Sequence, residues 1–201
     1  MLENKLGLKP KAELAASEER ISKVKAYELF DKGILDKLEV GTFSALSEIH
    51  KYLFDEIYEF AGEIRTVNIA KGNFRFTPLM YLEIALQNID KMPQSSFIEI
   101  IEKYVEMNIA HPFLEGNGRS TRIWLDLILK ANIEKVVDWR RVDKSDYLLA
   151  MERSPIKDLE IKYLLENALT DSIHDREVYI KGIDASYHYE GYSIYKSEDL
   201  Q

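Results

Sequence analysis

The sequence predicts an all-α fold carrying one small β-hairpin. Three observations carry this. Apolar residues recur at helical spacing along most of the 201 residues. One stretch, between Thr66 and Pro78, alternates apolar and polar residues instead. No repeat, low-complexity tract or linker breaks the chain, so residues 1–201 read as a single domain. A content of 46% hydrophobic residues excludes a disordered chain.

The elements follow in order. From Ala12 to Phe30, Leu14, Ile21, Val24 and Leu29 recur near helical spacing, and Lys32-Gly33 ends the segment. Thr42 is the expected N-cap of a second helix. Its stripe is Phe43, Leu46, Ile49, Leu53, Ile57 and Phe60, closed by Ala61-Gly62. The hairpin spans about 65–78, on either side of Lys71-Gly72-Asn73. Ser95 to Ala110 is a third helix, with Phe97, Ile100, Ile101, Tyr104 and Val105 on its buried side. Arg119 to Ala131 is apolar on more than one face, which places it centrally. Lys144 to Met151 and Lys157 to Leu169 are two further helices, separated by Ser154-Pro155. A last short helix covers about 184–191.

Composition excludes several functions. The chain has no cysteine, hence no disulfide framework, thiolate metal site or cysteine nucleophile, and a reducing cytosol fits. No apolar run approaches the ~20 residues of a membrane span, and the first residues lack a signal peptide's apolar core. A net charge of −8 argues against non-specific nucleic-acid or anionic-membrane binding and makes a DNA-binding regulator a poor reading. Phosphate, if bound at all, must be held by a local device.

That device is the segment His111-Pro-Phe-Leu-Glu-Gly-Asn-Gly-Arg-Ser-Thr-Arg122, between two strong helices. Pro112 stops the first helix at His111. Gly116 and Gly118 permit a nest of backbone N–H groups opening onto a helix N-terminus, which binds anions. Arg119 and Arg122 lie three apart in the first turn of that helix, where guanidinium is disfavoured by the dipole unless an anion is bound. Glu115 can hold a divalent cation that also binds phosphate. His111 is the one side chain of the loop able to take a proton near neutral pH, although a helix C-terminus favours its charged form. The plain alternative is a glycine-bearing helical corner with solvated arginines and a packing histidine. Taken alone, the chemistry leaves the two about even.

The same residues carry a resemblance. His111-Pro-Phe113, Glu115, then Gly116-Asn-Gly-Arg119-x-x-Arg122 resembles the complete signature of the Fic family. Residues 61–76 are similar to the family's flap hairpin and the segment before it, and Val137-Asp-Trp139 and Ser154-Pro155 extend the likeness across nearly the whole chain. The resemblance implies a Fic-fold helical bundle that transfers AMP from ATP to a Ser, Thr or Tyr hydroxyl of a protein, with pyrophosphate released. It implies His111 as general base, Glu115 as Mg²⁺ ligand and Gly116, Asn117 and Gly118 as the anion hole. Arg119 and Arg122 are implied as β- and γ-phosphate ligands. Ca²⁺ or Mn²⁺ are alternatives to Mg²⁺. Phe113 is the loop's apolar anchor. In the flap, Ile69, Lys71 and Phe74 are expected to align an extended target, with Lys71 and Asn73 at the tip near the nucleotide; the plain alternative is a packed satellite hairpin. A bacterial cytoplasmic setting is implied, and self-association is open.

Ser186-Tyr-His-Tyr-Glu190-Gly191 is the second feature. Ser186 and Glu190 share a helix face, and Gly191 suits the position after a helix end. Alone, this reads as a packing helix. Behind a Fic core it resembles the autoinhibitory motif of short bacterial members of class III, with Glu190 pairing Arg122 against the γ-phosphate. Glu190 is also a candidate for orienting water to remove AMP. Tyr187, Tyr189, Tyr192 and Tyr195 are candidate self-modification sites against a stronger expectation of packing. Transfer of another group such as UMP, and a non-catalytic ATP-sensing module, remain the alternatives.

Overall fold

A computed structural model describes residues 3–72 and 74–200. Among them, eight α-helices run in the order α1 (Lys11–Asp31), α2 (Phe43–Phe54), α3 (Leu79–Asp90), α4 (Phe97–Ala110), α5 (Asn117–Ile133), α6 (Lys144–Arg153), α7 (Leu159–Asn167) and α8 (Arg176–Tyr189). Two minimal antiparallel pairs interrupt them: β1 (Ala70–Lys71) with β2 (Phe74–Arg75), and β3 (Val136–Val137) with β4 (Leu169–Thr170). The all-α expectation holds.

α5 is the axis of the bundle. It packs against α2, α4 and α8, and α1 closes the far side against α2 and α8. Trp124, Leu125, Ile128 and Leu129 of α5 are fully buried, as its many-sided apolar pattern requires. The Trp124 indole donates to the Thr42 carbonyl at 3.0 Å, so the axis is tied to the start of α2. Thr42 caps α2 as expected, its hydroxyl accepting from Ala45 N at 3.1 Å. Ser96 and Glu99 form a reciprocal capping box at the start of α4.

Four expectations need correction. α2 stops at Phe54, not Phe60; the chain then turns, with Ile57 N and Tyr58 N both donating to Phe54 O at 2.9 Å. Ile57 and Tyr58 stay buried, so the apolar spacing outlasts the helix. α3 was not expected. It buries Leu82, Leu86 and Ile89, while Met80, Tyr81 and Ile84 face outward and blur its period. α8 begins at Arg176, where the Asp175 side chain accepts from Glu177 N and Val178 N, well before residue 184. The β3–β4 pair was also missed, because strands of two residues far apart in sequence leave no periodic trace.

The paired part of the hairpin is shorter than 65–78. Ala70 faces Arg75 and Lys71 faces Phe74. This leaves Gly72 at φ +59°, and Asn73, which lies outside the described residues. Lys71 therefore ends a strand.

Thr42→Val keeps the shape of the α2 cap and removes its acceptor, so it should lower unfolding free energy by about 1 kcal/mol. A shifted urea midpoint with an unchanged slope is expected; an unchanged midpoint contradicts the capping role.

Candidate functional site

α4 ends at His111, whose backbone is left-handed at φ 49°, and α5 begins after Gly116 at φ 76°. Residues 112–116 make the corner between them. A Cβ at position 116 would stand 2.5 Å from the Phe54 ring, so space and backbone angle both require glycine there. Asn117 closes the corner on itself. Phe113 N donates to its Oδ1 at 2.9 Å, and its Nδ2 donates to Phe113 O at 2.8 Å. The Asn117 carboxamide is thus taken up in bracing, and only its backbone N–H remains for an anion.

Two braces from elsewhere fix the corner, and neither was singled out from sequence. His50 of α2 is fully buried and stacks on Phe113 at 3.8 Å. Gly62 N donates to its Nδ1 at 2.9 Å, so the ring proton sits on Nε2, which donates to Glu115 O at 2.8 Å. Burial pulls its pKa down to about 4, keeping this neutral tautomer. Arg65 is the second brace. Its guanidinium donates to the carbonyls of His111 (2.9 Å), Val67 (2.7 Å), Thr77 (2.5 Å) and Ala110 (3.3 Å). It thereby caps the C-terminus of α4 and clamps both legs of the hairpin to it. His50 lies in the apolar stripe of α2 and Arg65 in the segment leading to the hairpin, and those placements are the only sequence signals either leaves.

His111 stacks on Phe76 of the hairpin, ring centroids 3.7 Å apart. Its Nδ1 is buried without a hydrogen-bond partner among the described residues. Burial pulls its pKa down to about 4, with Arg65 and Lys71 acting in the same sense and Asn108 and Glu190 against it. The helix C-terminus was expected to favour the charged ring; desolvation outweighs it.

The helix-start nest faces a carboxylate. Gly116, the residue at the N-cap of α5, has no side chain to cap its first turn. A Cβ on Gly118 would lie 2.2 Å from Glu190 Oε1, so the Glu190 carboxylate rests directly on that turn. Arg122 Nη2 donates to Glu190 Oε1 at 2.7 Å. The rest of this guanidinium is held as well: Nε donates to Ser186 Oγ at 2.6 Å and Nη2 to Ser186 O at 3.0 Å. Burial raises the pKa of Glu190, but Arg122, then Arg119 and Lys71, outweigh it and hold the carboxyl below its ordinary value. Glu190 is the C-cap of α8, and Gly191 follows at φ 90°.

Arg119 points to the other side, towards α1. Its Nη1 is 2.6 Å from Glu18 Oε1, with side-chain exposures of 1% and 4%. Its Nη2 donates to Glu115 Oε1 at 3.2 Å. The Glu115 side chain is 43% exposed, and Gly116 N also donates to Oε1. Among the described residues no cluster of three or more His, Asp or Glu could hold a metal. One exposed carboxylate suits a cation that brings phosphate and water ligands of its own. On the hairpin, Lys71 is exposed, while Ile69 and Phe74 are half-buried. Tyr187, Tyr189 and Tyr192 commit their hydroxyls to Ser22 Oγ, the carbonyls of Trp139 and Val142, and Glu18 respectively. Tyr195 is half-buried.

Arg65→Met removes four hydrogen bonds to helix-end and hairpin carbonyls. It should cost about 2–4 kcal/mol of stability and speed amide exchange in residues 66–78. Exchange unchanged there contradicts the clamp.

Residues 41–129 match the Fic/DOC family model. The chain is 30% identical over 189 residues to the protein adenylyltransferase VbhT of Bartonella schoenbuchensis, covering 87% of this chain and 38% of that one. It is 27% identical over 126 residues to the probable protein adenylyltransferase Fic of Escherichia coli, covering 57% of this chain and 62% of that one. The chain thus spans less than two thirds of either relative. Its fold matches BepC of Bartonella tribocorum with bound AMPPNP, at TM-score 0.68 and 18% identity, over 85% of this chain and 92% of that one. A Fic domain from Bartonella quintana with bound ADP gives 0.68 at 19% identity, over 86% and 93%. With the signature loop set between α4 and α5 on this fold, residues 41–129 carry a Fic/DOC domain.

Proposed function

We propose that this protein is an adenylyltransferase that moves AMP from ATP to a hydroxyl side chain of a protein, and that Glu190 restrains it as in class III members. The observation that carries the reading is the Glu190 carboxylate lying on the first turn of α5 while bonded to Arg122. A helix N-terminus with a buried arginine is an anion site, and here the chain's own anion fills it. The adenylyltransferase names of two relatives and the AMPPNP bound to BepC agree with a nucleotide as the competing anion.

In the reaction, the target hydroxyl oxygen attacks the α-phosphorus. The bond from that phosphorus to the bridging oxygen of the β-phosphate breaks, and pyrophosphate leaves. The hydroxyl proton passes to Nε2 of His111, which burial keeps neutral at working pH. The first-turn N–H groups of α5 and the two arginines take the charge that shifts onto the departing phosphates. Glu115 would hold Mg²⁺, which supplies further neutralisation of the phosphates when bound. The hairpin edge offers main-chain groups to an extended target, with Ile69, Lys71 and Phe74 beside it. Self-modification, if it occurs in this conformation, falls to Tyr195, since the other three hydroxyls are engaged.

Glu190 suppresses transfer by competition for one guanidinium. Breaking a buried ion pair of this kind changes free energy by about 3–5 kcal/mol. Glu190→Gly should therefore raise incorporation of α-labelled AMP from ATP into lysate proteins by two or more orders of magnitude. A rate equal to wild type sinks the restraint. His111→Ala in that background should abolish labelling; persistent labelling removes His111 as base.

The low pKa of His111 fixes a pH profile. A base neutral above about pH 4 keeps kcat/KM of the Glu190→Gly protein flat from pH 8 down to about 5. Loss of Glu190, whose charge raises that pKa, moves the acid limb lower still. Half-maximal activity near 6.5 contradicts the buried neutral base.

A second reading has Glu190 orient water to remove AMP from a modified protein. Its side chain is 26% exposed, enough to hold a water beside the anion site. Release of AMP from a labelled target by wild type but not by Glu190→Gly is expected; equal release contradicts it.

A further inference from the structure

Arg119 is closed off by a part of the chain that the Glu190 restraint does not explain. Beyond Gly191 the backbone turns back, with Tyr192 N donating to Tyr187 O at 3.1 Å. The Tyr192 ring lies 4.7 Å from the Arg119 guanidinium, and the Phe54 ring 4.8 Å from it. Its hydroxyl donates at 2.9 Å to Glu18 Oε1, the same oxygen that faces Arg119 Nη1. Tyr58 donates to the other oxygen of Glu18. With 1% of the Arg119 side chain exposed, no phosphate oxygen can reach it while Tyr192 is in place.

The next residues are clasped onto α1. Glu19 accepts from Ile194 N at 3.0 Å and from Tyr195 N at 3.2 Å. Lys23 donates to Tyr195 O at 2.5 Å and pairs with Glu19 and Asp184, each at 3.2 Å. Glu19 and Lys23 are both buried. Two buried charges are an expensive anchor for a segment that merely packs. They are also a reversible one. If the segment lifts, Glu19 and Lys23 keep each other and Asp184, so no charge is orphaned. Arg119 itself is incompletely satisfied: its Nε has no hydrogen-bond partner among the described residues, and Nη1 faces Glu18 without hydrogen-bond geometry. A buried guanidinium with unused donors gains by accepting phosphate oxygens once uncovered.

We propose that residues 192–195, clasped to α1 by Glu18, Glu19 and Lys23, are a second lock on the nucleotide site, with Glu18 and Tyr192 acting as positioning residues that hold Arg119 away from the phosphates. This rests on the reading of Arg119 as a phosphate ligand. The two locks act on different arginines: Glu190 on Arg122 from α8, and Glu18 with Tyr192 on Arg119 from α1 and the tail. Removing Glu190 alone leaves the second one shut.

The test uses the full chain carrying Glu190→Gly, titrated with ATP and Mg²⁺ and separately with adenosine, in a calorimeter. Adding Tyr192→Ala should tighten ATP about tenfold, the size expected for a lost hydrogen bond to a charged group, and leave adenosine unchanged. In turnover KM for ATP should fall with kcat no lower, since Arg119 also takes charge from the departing phosphates. Tyr192→Phe keeps the ring and loses only the hydroxyl; it should tighten ATP about threefold, and it decides the matter if the alanine variant fails to fold. ATP affinity unchanged or weakened in folded Tyr192 variants, against measurable binding to Glu190→Gly, overturns the second lock alone. Adenosine shifting in step with ATP also overturns it, because the effect would not then act through a phosphate ligand. No ATP binding by any variant overturns the nucleotide reading, and this proposal with it.

Discussion

The buried guanidinium of Arg122 is the constraint around which the site is arranged. Its side chain is 3% exposed, so its donors need partners inside the protein. Ser186 supplies a hydroxyl and a carbonyl, and Glu190 supplies the countercharge. Tyr147 and Tyr189 place their rings 5.6 and 5.4 Å from the guanidinium carbon. Every one of these groups except Tyr147 belongs to α8 or its C-cap. A charge on α5 therefore dictates where α8 packs, and the α8 C-cap in turn covers the first turn of α5. In the proposed function a triphosphate offers oxygen to the same guanidinium, so the pair is exchanged and not merely broken.

The corner between α4 and α5 depends on a different economy of polar groups. His111 and Gly116 both adopt left-handed backbone, and such residues persist only when neighbours over-determine them. Here Asn117 closes the turn, His50 holds the Glu115 carbonyl, and Arg65 gathers the carbonyls at the end of α4. The same Arg65 fixes the hairpin legs, and Phe76 lies against the His111 ring. His111, the start of α5 and the hairpin consequently share the same braces.

The loop was legible because its chemistry is contiguous: glycines, a proline stop, paired arginines and a histidine within twelve residues. The Glu190–Arg122 pairing was legible only through the family resemblance, since 68 residues of sequence separate the partners. Helices α1, α4 and α5 were readable from apolar spacing. α3 was not, because Met80, Tyr81 and Ile84 are exposed apolar residues among its buried Leu82 and Leu86. α2 was read too long because Ile57 stays buried in a turn. The braces His50, Arg65 and Glu18 act across distant sequence through single side chains. Nothing in local composition marks them, and the role of Glu18 beneath Arg119 needs the packing of α1 against α8 to exist.

In the proposed restraint Arg122 is exchanged between a carboxylate and a phosphate. A crystal structure of the Glu190→Gly protein with a non-hydrolysable ATP analogue tests it most directly. The terminal phosphate is expected on Arg122, in the space vacated by Glu190, with the α-phosphate over the first turn of α5 and facing His111. An Arg122 still held by Ser186 and Tyr147 alone, with the phosphates elsewhere, would contradict it.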